Sequence, residues 1–335
     1  MTQGSPKCSR CRAIIRRFEP TVFLAVGCDG PQSALVTAGR GAAQIATLWW
    51  WMAGGALFVW GLMVGLALYA LHTEPKEERR AARLILLGGA VFPALVLAAL
   101  LSLSLSITPG LLARGQSPDL AVEVVGEEWW WRVRYPGPGG SVIETANEIR
   151  LPLGRTVEFT LLSADVIHSF WIPSLGGKMD MIPGRVNHLV LEPTRMGEFR
   201  GVCAEFCGTS HAWMGLTAIV MEPAAFDTWL AQQAADASPP ATAAVRTGRD
   251  RFLSNGCGAC HAVRGTPARG VIGPDLTHVA SRSRLAAGAL PNDAPSMMHW
   301  LIAPASVKPD ARMPAFGMLP GPDLEAIVAW LRTLE

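Results

Sequence analysis

Two long stretches without a charged residue constrain this chain more than any other feature. Residues 45–71 and 84–107 are uncharged and mostly apolar. At about 1.5 Å of rise per residue, each is long enough to cross the roughly 30 Å hydrocarbon layer of a bilayer as a helix. Only 17% of the residues are charged, against about 25% in a typical soluble protein. The sequence therefore predicts that residues 45–112 form a helical hairpin in a lipid bilayer.

The residues that flank and interrupt these stretches indicate how the hairpin lies in the membrane. Trp49, Trp50 and Trp51 stand near one end of the first stretch, and Trp favours the membrane interface. Pro93 interrupts the second stretch and frees a backbone carbonyl, which suggests a packed neighbouring helix. The short loop between the stretches is rich in Lys and Arg, which marks the cytoplasmic side, so both termini are expected to face outward.

The N-terminal segment, residues 1–44, has a weaker pattern. Basic residues precede a short apolar stretch at 21–27, which is followed directly by Cys28. This order resembles a bacterial lipoprotein signal with Cys28 as the lipidated first residue, and an uncleaved disordered tail is the alternative. Cys8 and Cys11 form a CxxC without a partnering cysteine pair nearby and without other structural signals, so it is weak evidence for zinc and we expect no function there.

The apolar period changes twice after the hairpin. Residues 113–232 contain short apolar runs broken by Gly and Pro, which predict the strands of a β-sandwich or barrel with a net negative charge. Residues 233–245 are small and Pro-rich, as in an exposed linker. Residues 246–335 have a helical period and a net positive charge. The opposite charges favour docking of the two modules, and a total charge of only +2 argues against nucleic acid as a partner.

The last module contains the motif Cys257-Gly-Ala-Cys260-His261. Two thiols at this spacing attach one haem through its vinyl groups, and the imidazole that follows binds the iron, which predicts a covalently bound haem c. The alternatives are a zinc half-site and a redox dithiol. Neither is favoured, because the sequence has no second Cys pair after the motif and no thioredoxin-like strand before it.

The sixth ligand of the iron is predicted to be Met313, which lies in a Pro-rich loop before the last helix. A thioether ligand raises the reduction potential and closes the iron to small molecules, which indicates electron transfer. Methionine is also a common core residue. The rival candidates are Met297, Met298 and Met318.

The middle module contains a second group of potential metal ligands. Cys203, Cys207, His211 and Met214 lie on one short segment, and His168 precedes them. One Cys, one His and a weak Met on a loop, together with a distant His, form the ligand set of a blue-copper electron-transfer site. A second thiolate can bridge a second copper. A disulfide between the two cysteines beside a buried Met is the alternative.

At these residues the chain resembles subunit II of cytochrome c oxidase, in the form with a cytochrome c fused at its C-terminus. The resemblance covers roughly residues 40–335 and rests on GEEWWWRVRY, DVIHSFWIP, IPGRVNHL and the segment from Cys203 to Met214. It implies a multi-domain membrane protein. The expected parts are a two-helix transmembrane hairpin, a β cupredoxin-like domain at 113–232 and an all-α class I cytochrome c domain at 246–335.

The resemblance implies a dinuclear copper A centre in the β domain. Cys203 and Cys207 would bridge its two coppers. His168 and His211 would each bind one copper, and Met214 would be a weak thioether ligand.

Two further residues receive a role from the resemblance. Glu205 would give its backbone carbonyl to copper, and its side chain would reach a magnesium or manganese ion shared with subunit I. Trp129 would be the indole through which electrons enter the copper domain. At least one of Trp129, Trp130 and Trp131 must instead pack in the sheet, because neighbouring strand residues face opposite ways.

The function implied by the resemblance is electron input to a respiratory terminal oxidase. Electrons from cytochrome c, or from another periplasmic donor, would pass through haem c and copper A to haem a in subunit I. There O2 would be reduced to water with proton translocation. Both apolar stretches lack histidine, so the oxygen-reducing site must lie in a partner. The expected partners are oxidase subunits I and III.

Location and alternatives follow from the same resemblance. The chain would lie in the bacterial inner (cell) membrane with its metal domains on the periplasmic side. The alternatives are a copper A subunit of a nitric oxide reductase and a free-standing membrane electron carrier.

One position departs from the family pattern. Family members commonly carry a glutamate seven residues before the proline of the second helix, at the mouth of a proton channel. This chain has Leu86 there, and Glu77 and Glu78 lie at a spacing that supports neither as its substitute. The resemblance therefore does not extend to proton uptake by that route.

Overall fold

A computed structural model of the chain describes residues 30, 32–72, 78–112 and 117–335, without the side chains of 78–80 and 109–112. The expectations for Cys8, Cys11, Cys28 and Glu77 lie outside these residues, and so does that for the Glu78 side chain.

Two helical segments form the hairpin. Helix α1 is Arg40–His72, and helix α2 (Glu78–Leu86) continues through a π-helical turn, Leu87–Val91, into helix α3 (Phe92–Leu112). Both segments are long and apolar enough to span a bilayer. Most of their large apolar side chains are exposed, which is stable only against lipid or another protein.

The π turn has a local cause in Pro93. Proline lacks an N–H donor, and its ring collides with a carbonyl in the preceding helical turn. The chain relieves this collision by widening, and the N–H of Phe92 donates to the carbonyl of Leu87. The helix thus continues through the proline without a break.

The middle module is a sandwich of two five-stranded sheets, ordered β3-β2-β1-β5-β8 and β4-β10-β9-β6-β7. Alternate residues of the strands are buried between the sheets, as the apolar period predicts. Two pairs, β1 with β5 and β4 with β10, are parallel. The strands are Leu120–Glu127 (β1), Trp130–Pro136 (β2), Val142–Ala146 (β3), Glu148–Pro152 (β4), Val157–Ser163 (β5), His168–Trp171 (β6), Met179–Met181 (β7), Asn187–Leu191 (β8), Gly197–Cys203 (β9) and Gly215–Met221 (β10).

The hairpin is joined tightly to this sandwich. The N–H of Ala38 donates to Ser174 O (2.7 Å), and the N–H of Arg40 donates to Glu192 O (3.0 Å). Between them, Gly39 lies so close to Leu175 that an added Cβ would stand 2.2 Å from its carbonyl oxygen. Backbone contacts therefore fix the sandwich on the N-terminal end of α1.

Helix α4 (Pro223–Ala234) closes one end of the sandwich, where Trp229 packs edge-on against Tyr135 at 5.3 Å between ring centroids. An extended segment, 235–242, leads from α4 to the last module. This segment is shorter than the predicted linker because the helices on both sides of it extend into the small, Pro-rich sequence.

The last module is helical. Its core joins the first and last helices, where Phe252 and Trp330 pack edge to face at 4.9 Å. The four helices are α5 (Ala243–Ser254), α6 (Ala294–Ile302), α7 (Pro304–Val307) and α8 (Gly321–Leu331), and two two-residue strands, β11 (Arg284–Leu285) and β12 (Leu290–Pro291), lie between α5 and α6. The predicted fold class is confirmed for all three parts of the chain.

Candidate functional site

The predicted copper ligands converge at one end of the sandwich. His168 starts β6, Cys203 ends β9, and Met214 immediately precedes β10. Cys203 Sγ lies 3.7 Å from Cys207 Sγ and 3.9 Å from His168 Nδ1. From Cys207 Sγ, the Nδ1 atom of His211 is 3.4 Å away and the Sδ atom of Met214 is 3.8 Å away.

This donor set fits copper. Two sulfurs, two imidazoles and a thioether are the soft and borderline ligands that copper prefers. The two Sγ atoms are much farther apart than the about 2.05 Å of a disulfide, so both thiols remain available to a metal. The backbone carbonyl of Glu205 lies 3.1 Å from Cys203 Sγ, in the position for a further oxygen ligand.

The electrostatics of the cluster favour a thiolate. The hydrogen bond with Cys207 lowers the pKa of the Cys203 thiol to about 4, and the same hydrogen bond, together with burial, raises the pKa of Cys207. Burial disfavours the charged form of His168, but its contacts with Asp165 and Cys203 outweigh that cost and raise its pKa to about 9. A metal that binds two sulfurs here replaces a proton that is already shared.

Asp165 is a positioning residue that the sequence did not reveal. Its Oδ1 atom lies 2.8 Å from Nε2 of His168, which leaves Nδ1 directed at the cysteines. A carboxylate on the distal nitrogen fixes the orientation of a ligating imidazole. The spacing DVIH contains this pair, but only the turn before β6 brings the two side chains together.

Two glycines leave the space that the rings of His168 and Trp129 occupy beside the copper-ligand cluster. A Cβ on Gly126 would stand 2.7 Å from Cδ2 of His168. Gly208 has φ +109 and packs against the Trp129 ring, where a Cβ would approach within 3.1 Å. The need for small residues here depends on neighbours distant in sequence, so it has no local sequence signal.

The three consecutive tryptophans have different surroundings. Trp131 is fully buried and packs against Phe170, so it is the predicted sheet-packing residue. Trp129 is also buried, and its Nε1 donates to Cys207 O at 2.8 Å. Trp130 is partly buried under the guanidinium of Arg132, 4.7 Å from the ring centroid.

A cavity of about 450 Å³ lies between the last module and the β domain. The predicted haem attachment residues and the predicted sixth ligand all line this cavity, so residues far apart in sequence meet around one space. They are Cys257, Cys260, His261 and Met313. Among the rivals to Met313, Met297 also lines the cavity, while Met318 is 76% exposed.

The cavity fits a c-type haem, because the imidazole of His261 is oriented for an iron. Its Nδ1 lies 2.8 Å from Pro274 O, which leaves Nε2 free as a ligand. Burial lowers the pKa of His261, so the ring is neutral as ligation requires. A Cβ on Gly273 would stand 2.5 Å from Cε1 of the His261 ring. Only glycine therefore allows the backbone to lie this close to the imidazole.

One wall of the cavity belongs to the β domain. Residues 127–130 and Asn147 line it opposite the haem attachment residues. Trp129 therefore contacts the copper cluster through its Nε1 and faces the haem cavity.

The fold and these two sites define a membrane-anchored protein with a cupredoxin-like β domain followed by a cytochrome c domain. Family models match both parts: "Cytochrome C oxidase subunit II, periplasmic domain" at residues 136–222 and "Cytochrome c" at 245–335. These two domain types imply binding of copper and of haem c.

Known proteins give the particular family. The chain is 37% identical to cytochrome c oxidase subunit 2 of Alkalihalophilus pseudofirmus over 64% of this chain and 61% of the relative. It is 31% identical to the Bacillus subtilis protein of the same name over 70% of this chain and 68% of the relative. The chain belongs to the cytochrome c oxidase subunit 2 family.

Two details qualify the extent of these likenesses. The chain matches about three fifths of the length of the first two curated relatives. A crystal structure of the periplasmic domain of subunit II from Bradyrhizobium japonicum is 30% identical over 36% of this chain and 96% of that chain, with a TM-score of 0.34.

Proposed function

We propose that this chain is the electron-input subunit of a respiratory terminal oxidase of the cytochrome-c oxidase type. It takes electrons from cytochrome c, or from another periplasmic donor, at its own haem c. It passes them through a dinuclear copper A centre to haem a in subunit I, where O2 is reduced to water with proton translocation.

The observation that carries this proposal is the position of Trp129 between the two sites. Its ring lines the haem cavity, and its Nε1 donates to the carbonyl of Cys207 over 2.8 Å. One side chain and one hydrogen bond thus join the haem pocket to a bridging cysteine. A free-standing carrier would not need its two redox sites in this contact.

The residues around each centre favour fast electron transfer. When bound, the haem iron and the copper pair each supply a one-electron redox site. His261 and Met313 would both bind the iron, and a thioether ligand of this kind would close it to small molecules. Cys203 and Cys207 are buried and close together, and their sulfurs would hold the copper in a rigid site. A change of charge there would need little rearrangement of the protein.

The copper end of the sandwich carries the surface proposed for subunit I. Ile167, Phe206 and Trp213 are exposed large apolar side chains beside the ligand segments. Such a patch is typical of a protein interface. In this proposal Glu205, at the same surface, also binds a magnesium or manganese ion shared with subunit I, and subunit III completes the complex.

The proposed topology places both chain termini and both metal domains on the periplasmic side of the bacterial inner membrane. The tight junction at Gly39 supports it, because the sandwich lies directly on the outer end of α1. The second helix has an exposed Leu86 where a channel glutamate would be expected, so the proposal assigns no proton-uptake role to this position.

The test is metal analysis and spectroscopy of the full chain purified with its membrane complex. We expect two coppers and one haem c per chain, a multi-line copper EPR signal from a mixed-valence pair, and haem a in the same preparation. A single-copper signal would refute the dinuclear centre. Absence of haem a would favour a carrier.

The path through Trp129 has its own test. In Trp129→Phe an aromatic ring is kept, but the indole N–H that donates to Cys207 O is lost. We expect transfer from haem c to copper to slow on the order of tenfold, which corresponds to a barrier higher by about 1.4 kcal/mol. Flash photolysis measures this rate. Trp213→Phe is the matched control, because that indole lies outside the haem cavity and 48% of it is exposed.

A further inference from the structure

Three of the five residues immediately before Met313 contact the β domain around its copper cluster. Lys308 Nζ donates to the carbonyl of Trp129, and Ser210 Oγ donates to Pro309 O at 2.5 Å. The guanidinium of Arg312 lies 2.9 Å from Glu128 Oε2. Ser210 stands next to His211, so this segment touches both the aromatic path and the copper-ligand loop.

Arg312 also contacts Asp165, the residue that orients the predicted copper ligand His168. Its Nη2 is 3.6 Å from Oδ2 of Asp165, the residue whose other oxygen contacts His168. One short stretch of the haem module thus touches the residues around the copper cluster at several points. The same stretch leads directly into the predicted haem ligand.

A second group of contacts fastens a different part of the haem module. Glu148 Oε2 accepts hydrogen bonds from the backbone N–H of Ser283 (2.7 Å) and from its hydroxyl (2.8 Å). Arg132 Nη2 donates to Val271 O at 2.9 Å, and Arg150 Nη2 donates to Ser281 O at 3.1 Å. Contacts at two separate places prevent rotation about either one.

The segment between the modules is also held. Arg264 Nη2 donates to the carbonyls of Gln233 and Ala235, and the N–H of Ala237 donates to Arg264 O at 3.1 Å. The ring of His278 lies 3.1 Å from Ala235 O. The first part of the linker therefore belongs to the haem module and does not act as a free hinge.

Among these contacts, the one made by the Lys308 side chain depends most on the exact docking position. It is only 4% exposed and has no ion pair among the described residues; its amine contacts the Trp129 carbonyl. Burial lowers its pKa to about 7, which shows how unfavourable a buried amine is without such a partner. Any shifted docking position would leave the amine and the carbonyl buried and unpaired.

We propose that residues 308–312 are a docking segment, with Lys308 as its positioning residue, that holds the haem module in one fixed position against Trp129. The module then serves the copper domain from this position and does not swing on its linker. The inference deepens the proposed function and rests on it for its purpose, but docking is measurable without electron transfer.

The test uses the Ser283 backbone amide, whose hydrogen bond to Glu148 exists only in the docked state. We would measure its hydrogen–deuterium exchange by mass spectrometry in the full haem-loaded chain in nanodiscs. In Lys308→Met we expect exchange about tenfold faster, the change that loss of one buried hydrogen bond gives. An unaltered haem absorption spectrum shows that the module is still folded.

Arg312→Gln is the matched control within the segment. The Arg312 side chain is 64% exposed, so its ion pair is worth little, and exchange at Ser283 should rise by less than about threefold. Wild-type or slower exchange in Lys308→Met would overturn the docking role of Lys308. It would mean that the buried amine costs more than its hydrogen bond contributes.

A second measurement separates this inference from the proposed function. The rate of transfer from haem c to copper A should fall in Lys308→Met in parallel with the loss of docking, with an unchanged copper EPR signal. A wild-type chain with a protected Ser283 amide but without transfer between its centres would refute the electron path. The docking inference would stand in that case.

Discussion

Close backbone approach at single residues shapes the copper cluster. Gly126 lies on β1 and belongs to no ligand motif, yet the His168 ring occupies the space that a side chain would need. Gly177 lies in a loop with open surroundings, where the nearest atom to an added Cβ is 3.9 Å away. The two positions therefore form a natural pair for comparison.

We expect Gly126→Ala to displace the His168 imidazole, because a contact of 2.7 Å is well inside van der Waals distance. The expected cost is about 1–3 kcal/mol of folding stability, together with weaker copper binding and an altered copper EPR signal. Thermal unfolding and copper titration measure both effects. Gly177→Ala should leave them unchanged, and an unaltered EPR signal in Gly126→Ala would contradict this prediction.

Some of the site residues could be predicted from the sequence because their chemistry is visible in local spacing. Cys257, Cys260 and His261 share one turn, so their chemistry is visible in their spacing. His168 and Cys203 are far apart in sequence, and the ligand pattern of a copper site connected them, while the family resemblance added the dinuclear arrangement. Asp165, Gly126 and Lys308 gained their importance only when strand pairing and the docking of two modules brought them to the metal sites.

At the scale of elements, the crossing of α5 and α8 holds the haem module together. Gly248 on α5 lies against the backbone of α8, where a Cβ would stand 2.0 Å from Ala326 O. Backbone cannot move aside as a flexible side chain does. The helices must therefore separate if this glycine acquires any side chain.

Gly248→Ala should destabilise the haem module by about 2–4 kcal/mol, because the helices move apart and the Phe252–Trp330 contact loosens. Denaturant unfolding followed by the haem absorption band measures this. Arg246→Ala, on the exposed part of the same helix, serves as the control. Equal unfolding midpoints for the two variants would refute the prediction.

Some of the elements could be predicted from the sequence pattern alone. Uncharged length predicted the two membrane helices, and alternation predicted a β module, because each signal is local. The π turn before Pro93 was only partly foreseen. The sequence indicated a freed carbonyl, but the alternatives of a kink and a wider turn depend on the whole helix.

For the whole molecule, the proposed fixed position of the haem module separates the two kinds of electron transfer that the proposed function requires. Transfer between the modules occurs within a formed contact, whereas delivery from a soluble donor requires an encounter. Salt weakens charge-steered encounters but has little influence on partners that are already docked.

We therefore expect the rate from haem c to copper A to change by less than about twofold between low and physiological salt, while reduction of haem c by a charged soluble donor changes much more. Flash photolysis and stopped-flow measurements give the two rates. A steep loss of the internal rate with salt would show that the modules separate between turnovers.

Docking also covers the acidic surface around Trp129. In a chain that ends at Ala235, Glu128 and Asp165 would lose Arg312, and Trp129 would become accessible. A soluble basic cytochrome should then reduce the copper centre directly, in a salt-dependent reaction. With the full chain, direct reduction should be slower by about tenfold or more. Equal direct rates for both chains would contradict the covered surface.

The junction at Gly39 has a consequence for geometry above the membrane. Because α1 meets the sandwich through backbone contacts with Ser174 and Glu192, the height of the copper cluster over the lipid surface is set by the length of α1 and not by side chains. Substitutions on the lipid-facing surface of the helix can then accumulate without changing that height. Electron tunnelling weakens steeply with distance, so in the proposed complex this junction would hold the copper at a fixed distance from the electron acceptor in the bilayer.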